Sequence, residues 1–231
     1  MKTFSPLKPW LTRIHPLPSF KYLQEASPIF ELGASVIFDD YVPLYKLHRQ
    51  EAQSLSISWE EQRNYVELAL DIINSDEGGW LDREEVQMIH DELGPPPESC
   101  YPIYMFTVKR DEFEEVLYIG KTSSKFSRFS GGHTAAIKLH QPKYDGFEKR
   151  VYFGCVTLLD EENSLPLEWI HPKKFSLELL DSIESQLIHS LKPALNTHKK
   201  KNYKALHPTS IHIQNTSPDS MYLNDYMISP Y

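Results

Sequence analysis

Side chains that could act on a phosphate diester recur between residues 103 and 196. Tyr104 lies in one apolar run, and Tyr118-Ile119-Gly120-Lys121 ends the next. Arg128 follows, and Glu184 lies in a later helical pattern. A guanidinium group can donate two hydrogen bonds to phosphate oxygens, a carboxylate can bind a divalent cation, and a phenol can transfer a proton. These residue types indicate binding or hydrolysis of a phosphate diester.

Each residue also has a purely structural interpretation when it is taken alone. Tyr-Ile-Gly is common at strand ends, and an isolated arginine such as Arg128 usually lies at the surface. Glu184 lies about 40° from Leu180 on a helix that turns 100° per residue, so it borders an apolar stripe where polar side chains usually reach solvent. His133, beside two glycines, also suits an ordinary loop. Only the joint occurrence in this order favours a shared site.

The tyrosines are predicted to lie on a β-hairpin. Residues 101–108 and 116–120 are rich in aromatic and β-branched residues, which favour strands. The polar residues 109–115 suit the connection between antiparallel strands. A third strand is expected around residues 150–157, after a helical segment over 124–139 that two glycines interrupt.

Helices are predicted on both sides of this region. Ser58 with Glu61, and Asp82 with Glu85, have the spacing of capping boxes at helix starts. A proline run at 95–97 ends the second of these helices.

A later helix is expected to begin near Ser176, as its N-cap, and to end before Pro193. The order strand–strand–helix–strand–helix predicts an α+β fold with a small three-stranded antiparallel sheet flanked by helices. The N-terminal region is expected to be mostly helical.

Together these motifs resemble the GIY-YIG nuclease superfamily, and in particular a restriction-endonuclease-like member. The resemblance covers roughly residues 100–200 and rests on Tyr104, Tyr118-Ile119-Gly120, Arg128, Glu184 and Lys192-Pro193-Ala194-Leu195-Asn196. It implies a metal-dependent DNA endonuclease with one Mg²⁺ or Mn²⁺ bound by Glu184. The expected organisation is an acidic accessory region over 1–97, a nuclease domain over 98–205 and a C-terminal extension over 206–231.

The resemblance also implies roles within the site. Tyr104 is expected to be the general base and Tyr118 to orient the attacking water or the phosphate. Lys121 is expected to favour the phenolate of Tyr104, because a nearby cation stabilises the charged form. His133 is a weaker candidate for the base. Gly120 is expected to support the site, and so is Asn196, whose amide would tie the helix end to the site wall.

Charge is divided unevenly along the chain, whose net charge is −8. Residues 1–100 hold 8 Lys and Arg against 17 Asp and Glu, whereas residues 101–205 hold 16 against 13, a local charge of +3. Phosphate binding depends on local positive potential rather than on the whole chain. Lys199, Lys200 and Lys201 are therefore candidate DNA contacts, although a solvated surface explains such a run equally well.

Other features narrow the class of protein. Two cysteines in dissimilar contexts indicate neither a disulfide framework nor a zinc site. An N-terminus without an apolar core predicts a cytoplasmic protein that does not bind membranes. DNA is the expected substrate, and a homodimer or transient dimer is compatible with this class. The alternative is a non-catalytic GIY-YIG scaffold that binds DNA or a protein partner.

Overall fold

The centre of the protein is a mixed seven-stranded sheet. The computed structural model describes residues 5–17, 33–50, 54–76, 78–122, 129, 132–159, 164–200, 205–218 and 220–230. The strands are β1 (Gly33–Pro43), β2 (Ile103–Arg110), β3 (Phe113–Lys121), β4 (Glu148–Leu159), β5 (Ser164–Pro166), β6 (Ile211–Asn215) and β7 (Tyr226–Ile228). Their order is β3-β2-β4-β1-β6-β7, and β5 pairs with the end of β4.

Five α-helices accompany the sheet in the described residues. They are α1 (Lys8–Leu11), α2 (Leu55–Ile72), α3 (Arg83–Leu93), α4 (Thr134–Lys138) and α5 (Lys173–Leu191). Within the described ranges, none of them has the length and apolar character needed to cross a bilayer.

The expected small three-stranded sheet with a mostly helical N-terminal region is wrong. Strands β2, β3 and β4 lie where they were predicted and pair antiparallel. However, β4 also pairs along its other side with β1, from Gly33–Leu159 to Pro43–Arg150, and β6 runs parallel to β1. The N-terminal region therefore supplies an interior strand. Its partners lie more than a hundred residues away, so local sequence patterns do not reveal the pairing.

The two faces of the sheet pack against separate apolar cores. Successive residues of a strand point to opposite faces, and β2 follows this rule closely. Ile103 and Met105 join the larger core, which includes the apolar side of α5. Tyr104 and Phe106 join a smaller core on the opposite face. The first predicted tyrosine thus lies on the face away from α5.

Helix boundaries confirm one predicted capping box and correct another cap. Asp82 and Glu85 form the predicted reciprocal capping box of α3. Helix α2, however, begins at Leu55 with Ser54 as its N-cap, so Ser58 lies inside the helix and the predicted Ser58 cap is wrong. The turn before Ser58 is already helical because the Ser54 hydroxyl accepts the free amide of Ile57 at 3.4 Å.

Helix α5 also begins earlier than predicted, at Lys173 after Pro172. Ser176 is therefore not the N-cap but a buried residue of the first turn, and its hydroxyl donates to the carbonyl of Leu167 at 2.6 Å. The apolar stripe of α5 packs into the larger core as expected. The difference arises because Ser176 finds a tertiary acceptor instead of the helix amides.

The chain after α5 covers the free edge of β3, the outermost strand of the sheet. The Leu195 amide donates to the carbonyl of Leu117 at 2.8 Å. The side chain of Asn196 accepts from the amide of Ile119 at 2.9 Å and donates to the carbonyl of the same residue at 2.8 Å. Polar groups of an edge strand need partners of this kind, so the segment is held along β3.

Candidate active site

Tyr104 and His133 form the centre of the candidate site. The Tyr104 hydroxyl lies 2.9 Å from Nε2 of His133, and the Ala135 amide donates to Nδ1 of His133 at 3.2 Å. A neutral imidazole that accepts at Nδ1 carries its proton on Nε2. His133 therefore donates to the Tyr104 oxygen and would stabilise negative charge on it.

Tyr118 faces an open cleft beside this pair. Its ring centroid lies 5.0 Å from that of His133. The cleft has a volume of about 350 Å³ and is lined by Tyr118, Gly132, His133, Thr134, Ala135, Lys138, Leu195 and Thr197. Tyr104, in contrast, is 0% exposed. Of the two predicted tyrosines, Tyr118 is therefore the one that reaches the cleft.

Gly120 makes room for this arrangement. A Cβ atom at this position would overlap the hydroxyl oxygen of Tyr104 and would lie 2.9 Å from Cε1 of Tyr118. Tyr104 is directly opposite Gly120 in the β2–β3 pairing. The glycine is needed because a tyrosine ring lies across it.

A second group of charged side chains lies where β3 meets α5. We call Lys121, Asp181, Glu184 and Lys199 the four-charge cluster. The ammonium of Lys199 lies 2.8 Å from Oδ1 of Asp181 and 2.7 Å from Oε2 of Glu184. Lys121 forms an ion pair with the same Asp181 oxygen. Two carboxylates are thus balanced by two lysines.

The cluster changes the ionisation of its members. Partial burial works against the charge of Asp181, but hydrogen bonds from Lys121 and Lys199 outweigh it and lower the pKa of this carboxyl group. Burial likewise works against the charge of Lys199, but its bonds to Asp181 and Glu184 raise its pKa. Asp181 and Lys199 are therefore both charged near neutral pH.

Two carboxylates of the cluster suit a hard divalent cation. Asp181 and Glu184 are three residues apart on α5, so their side chains lie on the same side of the helix. Mg²⁺ is commonly bound by one or two carboxylates, with water and phosphate completing its shell. Within the described parts of the chain, no group of three or more His, Cys, Asp and Glu side chains is arranged to bind a metal. Glu184 and Asp181 could thus supply at most two of the ligands that such an ion needs.

The cleft and the four-charge cluster are connected by the segment after α5. Thr197 lines the cleft, and Lys199, two residues later, belongs to the cluster. On β3, Tyr118 lines the cleft and Lys121 belongs to the cluster. These two residues are about 10 Å apart along the strand at ~3.3 Å per residue. Because these two residues are three positions apart on a strand, the cleft and the cluster lie on opposite faces of the sheet, on either side of its β3 edge.

The structure brings together most of the predicted residues, but not all in the predicted pairs. Lys121 was expected beside Tyr104. It instead pairs with Asp181 on the α5 side of the sheet, whereas Tyr104 belongs to the core on the opposite face. The neighbour that donates to Tyr104 is His133.

Four other predicted residues with positive charge have different outcomes. Lys199 forms ion pairs with Asp181 and Glu184. The main-chain carbonyl of Lys200 accepts from Nδ1 of His189 at 3.0 Å. Arg128 and Lys201 lie outside the described residues, so their predicted contacts with phosphate stay predictions.

Sequence reasoning missed Asp181, Lys138 and Thr197. Asp181 could have been found from its spacing, because a carboxylate three residues before Glu184 shares its side of the helix. Lys138 and Thr197 come from separate elements and meet only at the cleft. The sequence around each of these residues gives no indication that their side chains line the same cleft.

Comparison of the chain with protein-family models, with curated proteins and with solved structures gave no match.

Proposed function

We propose that this protein is a metal-dependent DNA endonuclease of the GIY-YIG type that hydrolyses phosphodiester bonds in the cytoplasm, with a restriction-type enzyme as its closest functional class. The observation that carries the proposal is the Tyr104–His133 hydrogen bond beside a polar cleft that Tyr118 lines. Asp181, on α5, pairs with Lys121 of the same edge strand. A proton-transfer group and a phosphate-sized space therefore lie on one side of the β3 edge, and potential metal ligands lie on the other.

The geometry supports different roles for Tyr104 and Tyr118. We expect a phosphate diester to enter the cleft, where Lys138 supplies positive charge. We expect Tyr118, which lines this cleft, to orient the attacking water and to accept its proton. Tyr104 is buried, so it would act as a positioning residue that holds His133 against the cleft. The role of general base, expected for Tyr104 from the sequence, is better suited to Tyr118.

Glu184 and Asp181 would hold the divalent cation. When bound, Mg²⁺ or Mn²⁺ would polarise the phosphate and stabilise the negative charge of the leaving oxygen. Arg128, which lies outside the described residues, is proposed to donate to phosphate oxygens, as its sequence position suggests.

Cleavage of supercoiled plasmid DNA tests the proposal. Wild-type protein with Mg²⁺ or Mn²⁺ should nick the plasmid, and EDTA should stop the reaction. Glu184→Gln should retain the fold but lose cleavage, because a neutral amide binds a divalent cation poorly. Glu178→Gln is a matched control, since Glu178 lies on the same helix and pairs with Lys174 outside the cluster. Unaltered cleavage by Glu184→Gln would remove the metal assignment.

A second candidate is a non-catalytic scaffold that binds DNA or a protein. The observation that favours it is the neutrality of the four-charge cluster, in which lysines already balance both carboxylates. A pure binding module would retain affinity for a DNA duplex in EDTA and would cleave no plasmid with either metal. Titration of a fluorescent duplex, run beside the cleavage assay, separates the two functions.

A further inference from the structure

We propose that Lys199 is an internal counter-ion that keeps Glu184 closed to a divalent cation until a DNA phosphate accepts the lysine ammonium. This inference rests on the proposed function, because it concerns the carboxylate to which the metal is assigned there. It adds a regulatory role for a lysine that the sequence alone suggested only as a DNA contact.

The ammonium group of Lys199 occupies the position that a metal ion would need. Nζ of Lys199 lies between the two carboxylates, 2.7 Å from Glu184 and 2.8 Å from Asp181. A cation bound by both carboxylates needs the same oxygens, since Mg²⁺ and Mn²⁺ bind carboxylate oxygen directly. The lysine and the metal therefore compete for one place.

The charge balance of the cluster also opposes metal binding. The four-charge cluster holds two negative and two positive groups, so a divalent cation added to it would create a net positive charge. Only 12% of the Glu184 side chain is exposed, and solvent therefore screens this repulsion incompletely. Metal binding is favoured only after one ammonium leaves.

The two lysines differ in which carboxylate would lose its ion pair if the lysine moved away. Lys121 and Lys199 both pair with Asp181, whereas the ion pair described for Glu184 is the one with Lys199. Movement of Lys199 alone would free Glu184 and leave Asp181 neutralised by Lys121. Lys199 is thus the lysine whose movement opens the site.

A DNA phosphate at the β3 edge would offer Lys199 an alternative acceptor. The segment after α5 follows this edge, with Thr197 at the cleft and Lys199 two residues later, and 28% of the Lys199 side chain is exposed. A long lysine side chain can turn from a carboxylate to a nearby phosphate without movement of the main chain. DNA binding and metal binding should therefore strengthen each other, since such coupling is reciprocal.

Titration with Mn²⁺, followed by the electron paramagnetic resonance signal of the free ion, tests the competition without measuring activity. In the absence of DNA, Lys199→Met should bind Mn²⁺ roughly tenfold or more tightly than wild type, because a neighbouring positive charge has been removed. Lys199→Gln should behave in the same way and covers the case in which methionine disturbs folding. Lys174→Met, on α5 but paired with Glu178 outside the cluster, should match wild type. Equal affinities for wild type and both Lys199 variants would overturn the inference.

The same titration in the presence of a short DNA duplex, checked to be intact by electrophoresis, tests the coupling. The duplex should raise the Mn²⁺ affinity of the wild type several-fold, and it should do so much less for Lys199→Met. An equal increase for both proteins would contradict the role of Lys199.

Glu184→Gln separates the two possible failures. If Glu184→Gln loses Mn²⁺ binding while Lys199→Met equals wild type, only the counter-ion inference fails. If Glu184→Gln binds Mn²⁺ as well as wild type does, the metal assignment of the proposed function fails with it.

Discussion

The hydroxyl group of Tyr104 fills the space that a side chain at Gly120 would need. The two residues are directly opposite each other on β2 and β3, and Tyr104 is completely buried. Neither ring nor strand can move far, because both belong to the smaller core. The glycine therefore fixes where the Tyr104–His133 pair lies.

Replacement of Gly120 by alanine should disturb this pair. We expect Gly120→Ala to lower the free energy of unfolding by about 1–3 kcal/mol, the usual cost of overpacking a core, and to reduce plasmid cleavage strongly. Gly79→Ala is the control, since a Cβ there meets nothing within 4 Å. Urea denaturation and the cleavage assay measure both effects. Wild-type stability and cleavage in Gly120→Ala would show that Tyr104 can shift freely.

The two tyrosines should respond differently to loss of their hydroxyl groups. If Tyr118 accepts the proton of the water, single-turnover cleavage by wild type should rise with pH, because a general base acts only in its deprotonated form. Tyr118→Phe should lose that rise. Tyr104→Phe should lower the rate and keep the rise, because it removes only the partner of His133.

Tyr45→Phe serves as the control for these variants, since Tyr45 is strongly exposed. A Tyr118→Phe protein with a normal pH profile would return the role of base to Tyr104 or to another group.

Asn196 should be sensitive even to an isosteric change. Asn196→Asp keeps the acceptor for the Ile119 amide but loses the donor and sets a carboxylate against the Ile119 carbonyl. We expect a loss of about 2 kcal/mol or more in the free energy of unfolding, as for a buried hydrogen bond replaced by an unpaired polar contact. Asn64→Asp, at an exposed position of α2, should change little. Equal stability of both variants would mean that the tie to β3 contributes nothing.

His171 should make stability depend on pH. Burial, and then the nearby guanidinium of Arg63, lower the pKa of this imidazole, although Glu67 acts in the opposite direction. The unfolded chain takes up the proton near pH 6.5, and the folded protein takes it up only at lower pH. The stability due to this group is therefore present above about pH 6.5 and is lost as the pH falls through 6.5 toward the folded pKa.

Denaturation of His171→Gln between pH 5 and pH 7.5 checks this assignment. Its free energy of unfolding should fall less steeply below pH 6.5 than that of the wild type, by at most about 1.4 kcal/mol per pH unit for one proton. His15→Gln, at an exposed position, should keep the wild-type slope. A wild-type slope in His171→Gln would assign the dependence to another group.

Arg128→Lys should be severely impaired in cleavage, because a point charge cannot make the two parallel hydrogen bonds that arginine offers to phosphate. Single-turnover rates at saturating protein separate this effect from weaker DNA binding. Arg49→Lys, at an exposed position, is the control. Near-normal turnover in Arg128→Lys would limit this arginine to attraction of DNA.

The sequence by itself determined the local elements around the site. Aromatic and β-branched residues placed β2, β3 and β4, because strand preference acts over a few residues. Helical spacing of apolar residues placed α5, and the Asp82–Glu85 spacing placed the start of α3. Tyr118 and His133 at the cleft, and Glu184 on α5, could also be selected from the sequence.

Only the tertiary structure decided how these elements combine. Strand β1 joins β4 and β6 across long stretches of chain, and local preference carries no information about a partner so distant. The β2–β3 pairing shifts register between Phe106 and Thr107, which leaves Leu117 as an extra residue in β3. The extra residue lets the neighbours Leu117 and Tyr118 both pack against the smaller core. From Tyr118 onward the faces alternate, so Lys121 lies on the opposite face, where it reaches Asp181 near α5. The sequence supplied both residues, and the packing on each face of the sheet decided their neighbours, His133 for Tyr118 and Asp181 for Lys121.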